Sequence, residues 1–360
     1  MKSKLSNKNV SFSFVIPCYE RHELLTNTLN SIAKQKDVDF ADIEVILIDD
    51  GSSVFYDVRL LEIPFEIKYV YLKRTKSSCR SKARNQGIKL AKNDVIVFID
   101  SDVIIPEMYL FNLKKYFLAC KNSVVIGTRL LLNDTISIKE LDIDTIKSNS
   151  DFFEFRHKVL ARYSFNSNCI RFPWLLSFTC NLAVSRNALI KTGGFDEGFK
   201  NWGIEDTEIS YRLYKNGVKF YIAHDTEVIH QYHKSDSINS DEYIKANFTY
   251  FCKLHPEVIK KINRDDLLGM FLAKVSVHKA LNNLKNKKER NLELNENTKK
   301  IKIFLYVILC ILQNKKLNVY DKTVNGDFSI FVQNFPLFNI YYYPVEVRPY
   351  LQMYKFEYHC

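Results

Sequence analysis

Apolar positions in the first half of the chain fall into short unbroken runs separated by amphipathic stretches. Phe12 to Ile16, Ile43 to Ile48, Ile67 to Leu72 and Val95 to Ile99 are dominated by β-branched and aromatic residues, the pattern of buried strands. Between them Leu24, Leu25, Thr28, Leu29 and Ile32 recur at helical spacing, as do Ala83, Gly87, Ile88 and Ala91. Pro106 opens a further helix whose apolar face is Tyr109, Leu110, Leu113, Tyr116 and Phe117. This rhythm predicts an α/β fold with a mostly parallel sheet flanked by helices.

From about residue 134 to 172 the pattern loosens into polar turns and one aromatic helix around Phe152, Phe155, Val159 and Tyr163, the profile of an insert that shapes a pocket. Order returns at Trp174 to Val184. A short helix stopped by Gly193-Gly194, a helix from about Asp206 to Tyr214 and a strand from Val218 to Ile222 follow. Beyond residue 257 the character changes. Helical periodicity through Leu267, Leu268, Phe271, Leu272 and Val275 gives way to a Lys/Asn-rich stretch, 282–300, a helix-like run, 301–312, and an aromatic end at Tyr341-Tyr342-Tyr343. The prediction is one domain over 1–256 and a mainly helical C-terminal region, 257–360.

A content of 46% apolar and 26% charged residues over 360 is that of a soluble globular protein, and the net charge of +11 suits an anionic partner. The lysines are dispersed and no zinc-finger or RNA-recognition signature occurs, so the reading is no nucleic acid. Eight cysteines, at 18, 79, 120, 169, 180, 252, 310 and 360, show no metal-type spacing and read as reduced thiols of a cytoplasmic protein. Met1 to Lys8 lead straight into a strand, without a signal-peptide core, and Ile301 to Leu312 falls short of the roughly 20 residues that span a bilayer. Lysines 299, 300, 315 and 316 flank that run. It either packs against the helix around Leu267 to Val275 or makes peripheral contact with an anionic inner membrane surface.

Candidate chemistry collects where strands end. Asp100-Ser101-Asp102 closes the strand at Val95, and two carboxylates so close repel unless a cation lies between them; a divalent metal that also touches phosphate fits, against the plain reading of an acidic turn. Asp49-Asp50-Gly51-Ser52 closes the second strand, either as a turn or as a site for ribose or base. Pro17, Tyr19 and Glu20 follow the first strand. No glycine-rich phosphate loop occurs there, which sets aside dinucleotide and P-loop readings. Arg80, Lys82 and Arg84 open a helix and could offset phosphate charge or face solvent. Trp202-Gly203 precedes Glu205-Asp206 at a helix start, where an indole offers a flat platform for a sugar ring and adjacent acids can divide hydroxyl binding from proton removal. His230 ends a short strand; His224 and His233 are weaker ligand candidates.

Four of these segments, Phe14 to Arg21, Val45 to Ser52, Arg80 to Gly87 leading to Asp102, and Gly193 to Asp206 with Val228 to His230, resemble the family 2 nucleotide-sugar glycosyltransferases of GT-A fold, whose sheet is Rossmann-like. The Trp-Gly-x-Glu-Asp run is similar to that of galactosyl- and N-acetylgalactosaminyl-transferases and of bacterial chondroitin-type polymerases. One departure is Ser77-Ser78-Cys79, where the family usually has a glycine ahead of its Ala-Arg-Asn helix.

The resemblance implies a nucleotide-sugar half over about 1–130 and an acceptor half over about 131–256. It implies a UDP-sugar donor held by Pro17, Tyr19, Glu20, Asp49, Asp50, Arg80, Arg84, Asp100, Ser101 and Trp202. Mn²⁺ or Mg²⁺ would be bound by Asp100, Asp102 and His230, and Glu205 and Asp206 would serve catalysis. The expected reaction is transfer of galactose or N-acetylgalactosamine, with inversion, to a hydroxyl of a glycan, a lipid-linked glycan or a peptide. Alternatives left open are a retaining transferase and a nucleotide-sugar-binding or scaffold subunit without turnover.

Overall fold

The computed structural model describes residues 9–75, 78–132, 154, 156–157, 160, 165–167, 170, 172–233 and 240–262, a few helical residues up to 272, and the strands 290–294, 317–321 and 338–342. The chain divides into two units, Met1–His255 and Pro256–Cys360.

The first unit is built on a seven-stranded sheet. Its strands are β1 (Phe12–Cys18), β2 (Ile43–Asp49), β3 (Glu66–Tyr71), β4 (Val95–Ile99), β6 (Ser123–Ile126), β8 (Asn181–Ser185) and β9 (Lys219–Ile222), in the order β3-β2-β1-β4-β8-β6-β9. All pairings are parallel except those of β8, which runs against both β4 and β6. The unbroken apolar runs of β2 and β4 are buried along their whole length because helices cover both sheet faces. These helices include α1 (His22–Ala33), α2 (Arg80–Leu90) and α3 (Tyr109–Ala119). Pro106 lies in the turn before α3, which begins three residues later than its proline suggests. In α2, Gly87 permits close approach to β1, since a Cβ there would stand 2.3 Å from Val15 Cγ1.

Register sets the site. Cys18 pairs with Asp49, so the ends of β1 and β2 are level, and β4 stops at Ile99 immediately before Asp100. A second sheet, β5 (Val103–Ile104), β10 (Val228–His230) and β7 (Arg129–Leu131), begins there. In it His230 pairs with Val103 on one side and Leu131 on the other. The two sheets are tied together by buried Asn181, whose amide donates to the carbonyls of Thr128 (2.9 Å) and Thr226 (2.7 Å) while its oxygen accepts from the Tyr109 hydroxyl (2.8 Å). Further along the unit, the described residues include α4 (Arg186–Thr192), α5 (Glu205–Lys215) and α6 (Ser240–Leu254). The aromatic helix expected around Phe152 to Tyr163 lies mostly outside the described residues.

In the second unit a short helix, Pro256–Ile259, is followed by helical residues up to 272, in keeping with the periodicity there. The same unit also holds a parallel sheet of β11 (Arg290–Leu294), β12 (Leu317–Asp321) and β13 (Phe338–Tyr342), which helical periodicity did not foresee. Each strand carries asparagine then an aliphatic residue at matching places, Asn291-Leu292, Asn318-Val319 and Asn339-Ile340, and these align in register. That short period-two signal is masked by the polar sequence around it. The run 301–312 and its flanking lysines lie outside the described residues. Among the described residues no helix is long and apolar enough to cross a membrane.

Candidate functional site

The turns after β1 and β2 interlock. Glu20 and Arg21 take the left-handed backbone conformation (φ 53° and 58°), a costly one for side-chain-bearing residues that is sustained by bonds to the neighbouring turn. The Glu20 amide donates to Ser52 Oγ (2.7 Å), and its carboxylate accepts from the Ser53 amide (2.8 Å) and hydroxyl (3.1 Å). Asp49 is wholly buried, one oxygen accepting from the Ser52 amide (2.7 Å) and the other from the Tyr69 hydroxyl (2.5 Å). Its carboxylate therefore shapes the turn from within, and half-buried Asp50 is the acid left nearer the edge. Burial raises the Asp50 carboxyl above its ordinary range, with Arg74 pulling the other way. Arg74 also stands 4.1 Å over the ring of Tyr19, which is 47% exposed. Pro17 is half-buried in β1.

At the end of β4, Asp102 meets two histidines. His233 Nε2 lies 2.9 Å from Asp102 Oδ2, and His230 Nε2 lies 3.6 Å from Oδ1. One ligand atom from each of the three residues falls within 4.8 Å of the others. Asp102 Oδ1 is buried without a hydrogen-bond partner, so the cluster offers an unshared anionic oxygen beside two imidazoles, a donor set suited to a divalent ion. Arg21 Nη1 reaches the same group, 3.5 Å from Asp102 Oδ2 and 3.0 Å from His233 Nε2. Burial acts against ionisation of Asp102, but the charges of His230, His233 and Arg129 hold its carboxyl below the ordinary range. Asp100 is pushed the opposite way, by burial and by Asp102, so the pair is poised as one charged and one reluctant acid. Between them Ser101 is fixed through its carbonyl, which accepts from Thr28 Oγ1 (3.0 Å).

Arg129, on β7, is a further cation whose charge favours ionisation of both acids. Its side chain is held 3.3 Å from Glu154 Oε2, and Glu154 in turn is 2.5 Å from fully buried Arg156. Arg156 donates to the Leu176 carbonyl (2.8 Å) and lies 4.2 Å over the Phe178 ring.

On the other side, α2 docks onto the Gly193 to Asp206 segment. Asn85 donates to the Phe195 carbonyl and Glu197 Oε1 (2.9 Å each) and accepts from the Phe195 amide (2.8 Å). Arg84 Nη1 lies 3.0 Å from Glu205 Oε1, with side chains only 5% and 7% exposed. Arg84 and Glu205, read from the sequence as facing ligands, thus neutralise each other and bolt α2 to α5. Arg80, on the first turn of α2, remains exposed. Asp206, in the first turn of α5, accepts from the Thr207 amide (2.8 Å), and Trp202 in the preceding loop is 38% exposed.

The structure places Asp102 near His230 and also near His233, the weaker candidate in the sequence, and sets Arg21 beside them. His233 had a signal in the sequence, the His-x-x-His spacing across a strand end. Arg21 and Arg129 had none, because each is one arginine among many until the sheets place it.

Residues 13–183 match the family described as Glycosyl transferase family 2, and residues 162–234 match that described as the N-terminal domain of galactosyltransferase. A validoxylamine A glucosyltransferase of Streptomyces hygroscopicus subsp. jinggangensis is 28% identical over 264 residues, covering 69% of this chain and 62% of that protein. The chondroitin synthase of Pasteurella multocida is 29% identical over 62% of this chain, which spans only 25% of the synthase. The crystal structure of S. aureus TarS 1-349 in complex with UDP-GlcNAc superposes with a TM-score of 0.52 at 19% identity, covering 77% of this chain and 76% of that one, and shares the fold. With the motifs lying on the strand ends and helix starts described above, residues 13–183 carry the match to the family 2 glycosyltransferases and residues 162–234 that to the galactosyltransferase domain, and the chain spans 58% to 62% of the length of the glucosyltransferases it matches.

Proposed function

We propose that this protein transfers a hexose, galactose or N-acetylgalactosamine, from its UDP carrier to an acceptor hydroxyl with inversion at the anomeric carbon. The observation that carries the reading is the Asp102, His230 and His233 cluster at the carboxyl edge of the sheet, where open α/β sheets bind ligands. These three residues fit a divalent cation, Mn²⁺ or Mg²⁺, which when bound neutralises charge on the diphosphate. Asp100 is assigned to the donor beside Asp102.

Tyr19, Asp50 and Arg74 form the edge assigned to the nucleoside, with Glu20 and Asp49 holding the turn in shape. Arg80, exposed at the start of α2, is assigned to phosphate. Trp202 is assigned to the acceptor ring and Asp206 to its hydroxyl. As the acceptor oxygen bonds to the anomeric carbon, its proton passes to the Asp206 carboxylate, and the bond to the diphosphate breaks with the electron pair leaving on UDP. Glu205 takes the part of an anchor for this acid through Arg84.

Calorimetric titration of UDP with and without Mn²⁺, followed by a donor-by-acceptor screen read by mass spectrometry, tests the proposal. Mn²⁺-dependent UDP binding with transfer is expected. Binding without turnover supports a scaffold subunit instead, a product of retained configuration supports a retaining transferase, and absence of UDP binding refutes the reading.

A further inference from the structure

The loop before α5 has an unusual backbone. Asn201 (φ 60°), Gly203 (φ 100°) and Ile204 (φ 77°) occupy the left-handed region, so three of four consecutive residues sit in a conformation that costs side-chain-bearing residues free energy. Such a loop persists only where its surroundings over-determine it. The determinant is α6. Buried Asn247 donates through Nδ2 to the carbonyls of Lys200 (2.9 Å), Gly203 (2.9 Å) and Trp202 (3.4 Å), and its Oδ1 accepts from the Lys200 amide (3.3 Å). One amide side chain thus satisfies four backbone groups of a segment that has no regular secondary structure to satisfy them.

Neighbouring contacts fix the helix against both ends of the same segment. A Cβ on Gly203 would stand 2.4 Å from Ile244 Cδ1, one turn before Asn247. On the next turn, the Tyr250 hydroxyl donates to Asp196 Oδ2 (3.1 Å) and its ring meets Phe199 at 5.0 Å. The residue held up by this scaffold is Trp202, which is partly exposed although its own carbonyl is tied down. A fixed backbone under a solvent-facing indole is how a sugar platform is pre-organised, since ordering on binding then costs less.

We infer that Asn247 is the positioning residue of the acceptor platform, holding Lys200 to Gly203 in the turn that presents Trp202 to the acceptor sugar. The acceptor part of this inference rests on the proposed function; the holding of the loop does not. Asn247 bonds the backbone of Lys200, Trp202 and Gly203, so it acts through the conformation of that loop.

The chain has two tryptophans, and Trp174 is 1% exposed, so acrylamide quenching of the full chain reports on Trp202. Trp202→Phe supplies the baseline. Asn247→Ala is expected to raise the Trp202 quenching constant at least twofold and to raise the acceptor KM at least tenfold. UDP affinity in the presence of Mn²⁺ should stay within twofold. Acceptor probes are the methyl β-glycosides of N-acetylglucosamine, glucose and glucuronic acid, with UDP-galactose and UDP-N-acetylgalactosamine as donors. Asn247→Asp keeps the volume and sets a carboxylate against three carbonyls, so it should give the same quenching change if the alanine variant fails to fold. Unchanged quenching in the folded variants overturns the inference, as does raised quenching with an unchanged acceptor KM. If wild type binds no UDP or transfers to none of the glycosides while quenching rises in the variants, the failure lies with the proposed function or its acceptor, and Asn247 keeps only the loop-holding role.

Discussion

Arg84 and Glu205 separate two accounts of the same motif. If Arg84 met the diphosphate, its removal would weaken UDP binding and leave the fold nearly untouched. The geometry says otherwise, because its guanidinium is 3.0 Å from Glu205 Oε1 with both side chains almost fully enclosed. Arg84→Met leaves the Glu205 carboxylate buried without its partner, and such a loss costs about 3–5 kcal/mol. Asp100 also feels the Arg84 charge, so removing it acts on a second acid as well. Glu205→Gln keeps volume and an acceptor oxygen for Arg84, so its cost is that of a charged hydrogen bond, about 1.5–3 kcal/mol. At roughly 2–4 °C per kcal/mol for a unit of this size, Arg84→Met should lower Tm by about 6–20 °C. The double variant Arg84→Met/Glu205→Leu buries no unpaired charge at this pair and should recover much of the loss.

Thermal unfolding followed by circular dichroism, with UDP affinity measured on each folded variant below its transition, reads both quantities. A double variant less stable than the sum of the singles, or Arg84→Met with wild-type Tm and UDP affinity reduced tenfold, refutes the bolt and returns Arg84 to the donor.

The sheet was readable because its evidence is local. Runs such as Val95 to Ile99 specify a strand, and four of them with helical periods between leave few arrangements, although the run of β3, expected to be buried, lies at the sheet edge and is half-buried to exposed. The direction of β8 was not readable, since Leu182 to Val184 is apolar like the runs of the parallel strands and only its connection decides. At the site, the type of residue was legible and its facing was not. Asp49 and Asp50 are adjacent and chemically identical, yet one is sealed against Tyr69 and Ser52 while the other stays near the edge. The same holds for Glu205 and Asp206 at the start of α5. Alternation along the strand decides the first case and the rotation of about 100° between adjacent helical residues the second.

Three further outcomes follow from individual groups. Asp102→Ala and His233→Ala should each weaken Mn²⁺ binding at least about 10–100-fold, the scale for losing even an outer partner of a metal ligand, as read by titration calorimetry; unaltered affinity in His233→Ala removes it from the set. Asp206→Asn should retain UDP affinity and Tm while transfer falls about 10²- to 10⁴-fold; surviving turnover moves the proton to another base. The last concerns acid stability at Glu208 on α5. Burial alone would raise its carboxyl, but hydrogen bonds from His255 (2.9 Å) and Arg212 (2.7 Å) outweigh it and hold the group below the ordinary glutamate range. A carboxyl depressed in the folded state binds fewer protons than in the unfolded chain, so its contribution is complete above the unfolded value near ~4.3 and drains away as pH falls through the folded one. Glu208→Gln should therefore lower Tm at pH 7 and flatten the fall of Tm between pH 5 and the acid limit, because the amide has no proton to gain there. An acid limb as steep in the variant as in wild type would show that other carboxyls, such as Glu44 or Glu154, carry the acid sensitivity instead.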